Sequence, residues 1–249
     1  MFETLRWLKD RALIGDLVFR LEPKTDDWEL GDECFRLYKS KYYIDAYARW
    51  LPRMRFNNVF ELGIFDGGSL ALWNECLAPR KLVAVDLSER GDSDYFRRFI
   101  EAKGLQDRVK TYWGVDQADT TTLRKIVERE FDSPLDLVID DACHFYGPTK
   151  TSFETLFPFL REGAVYVIED WPWEYLEDQD TREYFGNETQ TLTELVMELT
   201  KSIHSRTIAS LIVTEEFVMA ERGPLPADRV NDFRIVVPTR ASPEGNRPK

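Results

Sequence analysis

From residue 57 onward the chain alternates short apolar runs with longer amphipathic ones. NNVFELGI, KLVAVDL, RVKTYWGV, LDLVIDD and GAVYVIED have the length and branched apolar character of buried strands. GSLALWNECLA, DSDYFRRFIEAKG, TTTLRKIVEREF and PTKTSFETLFPFL lie between them, with apolar residues at helical spacing. Strict alternation of this kind predicts parallel strands joined by crossover helices, an α/β doubly wound sheet. TLTELVMELTKSI predicts a further helix. IASLIVTE, FVMAER and FRIVVP predict further strands, the first two close enough for an antiparallel hairpin. The expected fold is α/β, with a seven-stranded, mostly parallel, doubly wound sheet.

Residues 1–50 read differently. MFETLRWLKDRALIGDLVFRL is amphipathic but mixes acids with bases, and it lacks the uninterrupted apolar core of a signal peptide. It predicts a helix packed on the domain or on a second subunit. EPKTDDWELGDE is a polar break, and KYYIDAYARWLP a helix with Tyr43, Ile44, Tyr47 and Trp50 at helical spacing and a stop at Pro52. The expected division is a helical N-terminal arm over 1–56, an α/β domain over 57–238 and a disordered tail over 239–249. WPWEYLEDQDTREYFGNETQ, which starts at Trp171, has little period and reads as a long functional loop.

Composition narrows the partners. The net charge of −12 argues against nucleic acid or an anionic membrane, either of which needs a basic face. No apolar stretch approaches the roughly 20 residues of a membrane span. Cys34, Cys76 and Cys143 are scattered without paired spacing, which fits reduced thiols and a cytoplasmic setting.

The chemistry gathers at the carboxyl ends of the predicted strands. The first runs into ELGIFDGGS, so that Glu61, Gly63, Asp66, Gly67 and Ser69 border a tight strand-to-helix turn. The second ends at Asp86, placed to accept hydrogen bonds from ribose hydroxyls, and the third leads to Asp116 and Gln117, near a base edge. Neither GxGxxG nor GxxxxGK[ST] is present, so a nucleoside without a pyrophosphate fits better than a dinucleotide. The fourth and fifth strands end in acid pairs, Asp140-Asp141 and Glu169-Asp170, and His144 follows the first. Neighbouring strands lie about 4.8 Å apart, so these carboxylates share one crevice. Packed carboxylates repel unless neutralised, and an all-oxygen set suits Mg²⁺, Mn²⁺ or Ca²⁺. Tyr146, Trp171, Trp173 and Tyr175 could stack on a substrate or pack a loop onto the core.

ELGIFDGGS followed by VAVDLSE resembles the first two motifs of class I S-adenosylmethionine-dependent methyltransferases, whose sheet is Rossmann-like. IDDACHFYGPTKTSFETLFPFLREGAVYVIEDW is similar, at greater length, to metal-dependent sugar O-methyltransferases such as those that act on macrolides. Cephalosporin-hydroxylase-associated proteins are more distant. The resemblance implies that Gly63, Asp66, Gly67 and Ser69 line the methionine end of S-adenosylmethionine. Asp86 would hold its ribose, and Asp116 and Gln117 its adenine. It further implies Asp141, Glu169 and Asp170 as ligands of Mg²⁺ (or Mn²⁺), His144 as general base, and Asp140 near the cofactor or behind the metal ligands. The acceptor would be a small molecule or oligosaccharide carrying a sugar hydroxyl, and the enzyme a homo-oligomer, with a dimer the first expectation. Two departures stand out: the macrolide enzymes carry a large extra N-terminal domain, and Cys143 stands where serine is usual. A catechol-like acceptor and a non-catalytic cofactor-binding subunit are the competing readings. A nucleic-acid methyltransferase is disfavoured by charge and by IDDA in place of an NPPY-type tetrapeptide.

Overall fold

A computed structural model describes residues 2–21, 34–51, 54–177, 179–186, 188–226 and 232–235. The α/β pattern appears as expected. Strands β5 (Asn58–Leu62), β6 (Lys81–Asp86), β7 (Val109–Trp113), β8 (Leu135–Asp140) and β9 (Leu160–Glu169) alternate with helices. These helices are α2 (Gly68–Leu77), α3 (Asp94–Ala102), α4 (Thr120–Glu130) and α5 (Tyr146–Leu156). After α6 (Gln179–Phe185) and α7 (Leu192–Ser202), the hairpin β10 (Ile208–Val213) and β11 (Phe217–Arg222) completes a seven-stranded sheet. Its order is β10-β11-β9-β8-β5-β6-β7. The β10–β11 and β11–β9 pairs are antiparallel, and the pairs across β9, β8, β5, β6 and β7 are parallel.

Because β5 lies between β6 and β8, the chain reverses direction there, and a crevice opens at the carboxyl ends of those strands. Alternate side chains of each strand enter two separate cores. Val59, Ala84, Leu137 and Val167 pack beneath α2 and α3, whereas Phe60, Val83, Val138 and Tyr166 pack against α4, α5 and α7. Among the described residues no helix is long and apolar enough to cross a membrane.

The arm departs from expectation. Its described part before α1 is built on strands: β1 (Arg6–Trp7), β2 (Arg11–Ile14), β3 (Leu17–Leu21) and β4 (Phe35–Leu37) form a small sheet in that order. The reason lies in RALIGDLVFRL. Ile14 pairs with Leu17 across the two-residue turn Gly15-Asp16, and Gly15 takes a φ of +56°. Alternation then buries Ala12 and Phe19 while Arg11 and Arg20 stay exposed, a period of two rather than 3.6. The expected helix over 41–50 does form, as α1 (Lys41–Trp50), capped by the Ser40 hydroxyl accepting from the Tyr43 amide.

The arm packs into the first core. Phe35 meets Tyr95, Phe96 and Phe99, and Tyr47 lies between Trp73 and Phe217 at centroid distances of 4.9 and 4.7 Å. Two smaller differences follow. The long segment after Trp171 holds a 3₁₀ turn at Trp173–Tyr175 and helix α6. Residues 233–235 are not strand. Phe233 packs on Phe157, and the Ile235 amide donates to Glu154. The polar break at 22–33, Pro52, the end of FRIVVP and the tail at 239–249 lie outside the described residues.

Candidate active site

The register of β8 with β9 assembles the acids. Asp140 pairs with Ile168, which sets Asp141 alongside Glu169 at the mouth of the crevice. Donor atoms of Asp141, His144 and Asp170 all lie within 4.8 Å of one another. His144 Nε2 is 3.9 Å from Asp141 Oδ1. His144 and Asp170 both adopt left-handed backbone, φ +57° and +51°. Such conformations are costly for residues with side chains and are concentrated at functional sites. Two carboxylates at this spacing suit a divalent cation with open positions, and the imidazole stands beside them.

Glu169 is fully buried and stands behind this group. Its Oε1 accepts from the Tyr47 hydroxyl and its Oε2 from the Lys39 ammonium. Lys39 Nζ also donates to Asp141 Oδ2 at 2.6 Å and lies 5.3 Å from the centre of the Tyr43 ring. The Tyr43 hydroxyl donates to the Glu216 carbonyl, which also accepts from the Asp170 amide. Burial opposes charge throughout the group. It pushes the Glu169 carboxyl far above its usual range, Asp141 adding to the shift and Lys39 opposing it. Burial and then the Asp141 charge likewise raise Asp170. Asp141 moves the other way: burial would raise it, but Lys39 and His144 together hold it below the ordinary carboxyl value. Burial disfavours the Lys39 charge, yet Asp141 and Glu169 outweigh that and raise its pKa.

Asp140 points to the opposite face. It accepts from the hydroxyls of Ser152 (2.5 Å) and Tyr166 (2.8 Å) and from Gln117 Nε2 (3.2 Å). Burial pushes its carboxyl up to about 6. The Gln117 side-chain carbonyl accepts from the Cys143 amide, so Gln117 ties the loop after β7 to the end of β8. Asp140 and Gln117 thus brace the site from below.

The glycine loop is shaped by its neighbours as much as by any ligand. An added Cβ on Gly63, at φ +96°, would collide with the Asp141 carbonyl oxygen, and one on Gly68 with the Arg36 carbonyl oxygen. Gly67, at φ +87°, abuts the Phe96 ring. Asp66 accepts from the Arg36 and Gly68 amides and so locks β4 onto the loop. Asp86, half-buried, accepts through Oδ2 from the Ile64 and Phe65 amides at 2.9 and 3.0 Å. Asp116 is exposed and accepts from the Ala118 amide. Ser69 lies in the first turn of α2. Glu61 Oε1 accepts from the Trp73 indole at 2.9 Å, while Oε2 is buried without a hydrogen-bond partner. Burial raises the Glu61 carboxyl to about 7.

Over the cation group stands an aromatic wall. Trp173 meets His144 edge-on at 5.2 Å and stacks on Tyr184 at 4.9 Å, and Tyr184 stacks on Phe145 at 5.2 Å. The Tyr184 hydroxyl donates to the Cys143 carbonyl. Trp171 instead donates its indole N–H to the Thr214 carbonyl, and the Tyr146 hydroxyl bonds Glu198, so both are tied into the scaffold. Lys39, Tyr43, Tyr47, Phe145 and Tyr184 were not anticipated from the sequence. The four-residue spacing of Tyr43 and Tyr47, on one face of α1, was the available signal for those two tyrosines.

Residues 60–171 match a family model described as a methyltransferase domain. The chain is 33% identical over 138 residues to a tetracenomycin rhamnosyl 3′-O-methyltransferase of Streptomyces olivaceus, covering 52% of this chain and 32% of that protein. It is 32% identical over 126 residues to the mycinamicin VI 2″-O-methyltransferase of Micromonospora griseorubida, covering 46% and 28%. The MycE methyltransferase of the mycinamycin pathway, solved with Mg, SAH and mycinamycin VI, superposes with a TM-score of 0.57 at 26% identity. That likeness covers 82% of this chain and 53% of MycE. The chain spans about a third of the length of these curated relatives. Its seven-stranded sheet with helices on both faces is the class I methyltransferase fold.

Proposed function

We propose that the methyltransferase domain at residues 60–171 is the core of an S-adenosylmethionine- and Mg²⁺-dependent enzyme that methylates a sugar hydroxyl on a glycosylated natural product or polysaccharide. The observation that carries this reading is the group of Asp141, His144 and Asp170 at adjacent strand ends, beside the glycine loop. The sugar O-methyltransferases among its relatives, and the Mg and SAH held by MycE, support the choice of cofactor and acceptor.

The donor set fits a hard divalent cation. Asp141 Oδ1 and the Asp170 carboxylate would hold it, with Glu169 close behind. The orphaned Glu61 Oε2 fits the ammonium of a bound amino-acid moiety. Asp86 and Asp116 border the same crevice and would meet ribose and adenine.

An alkyl hydroxyl does not ionise near neutral pH, and a bound divalent cation supplies Lewis acidity that lowers its pKa. His144 Nε2 then takes the hydroxyl proton, and the resulting imidazolium faces the Asp141 carboxylate, 3.9 Å away. The hydroxyl oxygen attacks the sulfonium methyl. The C–S bond breaks as the C–O bond forms, and its electron pair leaves on sulfur as a neutral thioether. The stacked rings of Trp173 and Tyr184 would border the acceptor.

The test is methyl transfer from S-adenosylmethionine to a panel of rhamnosyl, mannosyl and glucosyl acceptors, with catechols alongside, in Mg²⁺ and in EDTA. Turnover on a sugar that EDTA abolishes is the expected outcome. Turnover that survives EDTA removes the cation from the mechanism, and turnover on catechol alone replaces the acceptor class.

A further inference from the structure

Lys39 is a lysine with almost no access to water: its side chain is 3% exposed. The ammonium lies between Asp141 Oδ2 and Glu169 Oε2 and against the face of Tyr43. Ser40, the next residue, caps α1, and β4 just before it is held to the glycine loop through Asp66. The backbone on either side of Lys39 is therefore fixed, and its charge is set into the back of the cation group.

We infer that Lys39 is a built-in counter-ion that competes with the divalent cation for Asp141 and Glu169 and so sets how tightly the site holds metal. The inference rests on the metal-dependent reading above. Three carboxylates, Asp141, Glu169 and Asp170, converge here. With no fixed positive charge among them they would form a strong chelating site. Lys39 occupies one oxygen of Asp141 and one of Glu169 with hydrogen bonds. It leaves Asp141 Oδ1, Asp170 and the His144 face for an added ion. A fixed unit charge at that distance in a poorly solvated site repels a divalent ion strongly. The consequence is a moderate, exchangeable affinity, and a cation site whose strength is determined by the arm rather than by the methyltransferase domain alone.

A merely supporting lysine would have the opposite signature. Its loss would loosen the carboxylates and weaken metal binding. The experiment is Mn²⁺ binding to the full chain, by calorimetry and by electron paramagnetic resonance, for the wild type, Lys39→Met, Glu169→Gln and the Lys39→Met/Glu169→Gln double variant. Lys39→Met strands Glu169 and could fold poorly. The double variant removes both members of the pair and keeps the net charge of the group unchanged. The expected result is at least tenfold tighter Mn²⁺ binding in Lys39→Met than in the wild type, and at least tenfold tighter in the double variant than in Glu169→Gln. Equal or weaker binding in the double variant than in Glu169→Gln overturns the inference while leaving the metal-dependent reading intact. Failure of the wild type itself to bind Mn²⁺ at millimolar concentration overturns both.

Discussion

His144 and Asp170 show how much of the site's design is carried by single residues. Both have left-handed backbone, and both turn a polar side chain toward Asp141 just past the end of a strand. His144→Ala is expected to lower turnover by a factor of about 10²–10⁴, the usual weight of a general base, with Mn²⁺ affinity reduced far less. Steady-state kinetics beside a binding titration separates the two. Asp170→Asn should do the reverse, abolishing the rise in melting temperature expected of the wild type with Mn²⁺ while leaving S-adenosylhomocysteine affinity within a few-fold. Glu61 offers a pH test. Its folded pKa of about 7 lies above the unfolded carboxyl value of 4.5, so the neutral acid is the form the fold prefers. Its contribution is present in full below pH 4.5 and is lost as pH rises through 7. Glu61→Gln keeps a carbonyl for the Trp73 indole, and its stability relative to the wild type should therefore improve between pH 5 and pH 8. The ceiling on that gain is about 3 kcal/mol, from the size of the shift. Denaturant titrations at the two pH values, without added cofactor, measure it.

At the scale of elements, β4 and α1 matter more than their length suggests. β4 lies directly on the glycine loop, where the Arg36 carbonyl occupies the space a side chain on Gly68 would need. Gly68→Ala should destabilise the fold by about 1–3 kcal/mol, the usual cost of overpacking, and should weaken S-adenosylhomocysteine binding as the loop shifts. Denaturation and calorimetry on the one variant test both parts. The glycine loop was legible in the sequence because turn chemistry and strand period are local properties, and ELGIFDGGS contains both within nine letters. The acid pairs were legible because a parallel register follows from the alternation of strand and helix. The arm's hairpin was also written locally, in RALI and LVFRL about Gly15-Asp16, but the amphipathic mixture of charged and apolar residues was read as a helix. Lys39 could not be read at all. A lysine enters a core only when its partners are there, and those partners lie 102 and 130 residues away.

For the molecule as a whole, the folding unit is larger than the stretch that matches the methyltransferase family. That match starts at residue 60, yet Phe19, Phe35, Ile44 and Tyr47 are buried in the same core as α2 and α3. A chain lacking residues 1–50 should expose Trp73, Phe96, Phe99 and Phe217 and fail to give a cooperative thermal transition, which circular dichroism would register. The same interlocking has a consequence in time. Lys39 and Tyr47 leave the ribosome long before Glu169, and the Tyr43 hydroxyl meets its Glu216 carbonyl across 173 residues. Vectorial synthesis therefore cannot build this site piece by piece. The nascent arm must wait, its lysine hydrated and its tyrosines unpacked, until the final hairpin emerges. A ligand can find the crevice finished only after residue 216 has been made.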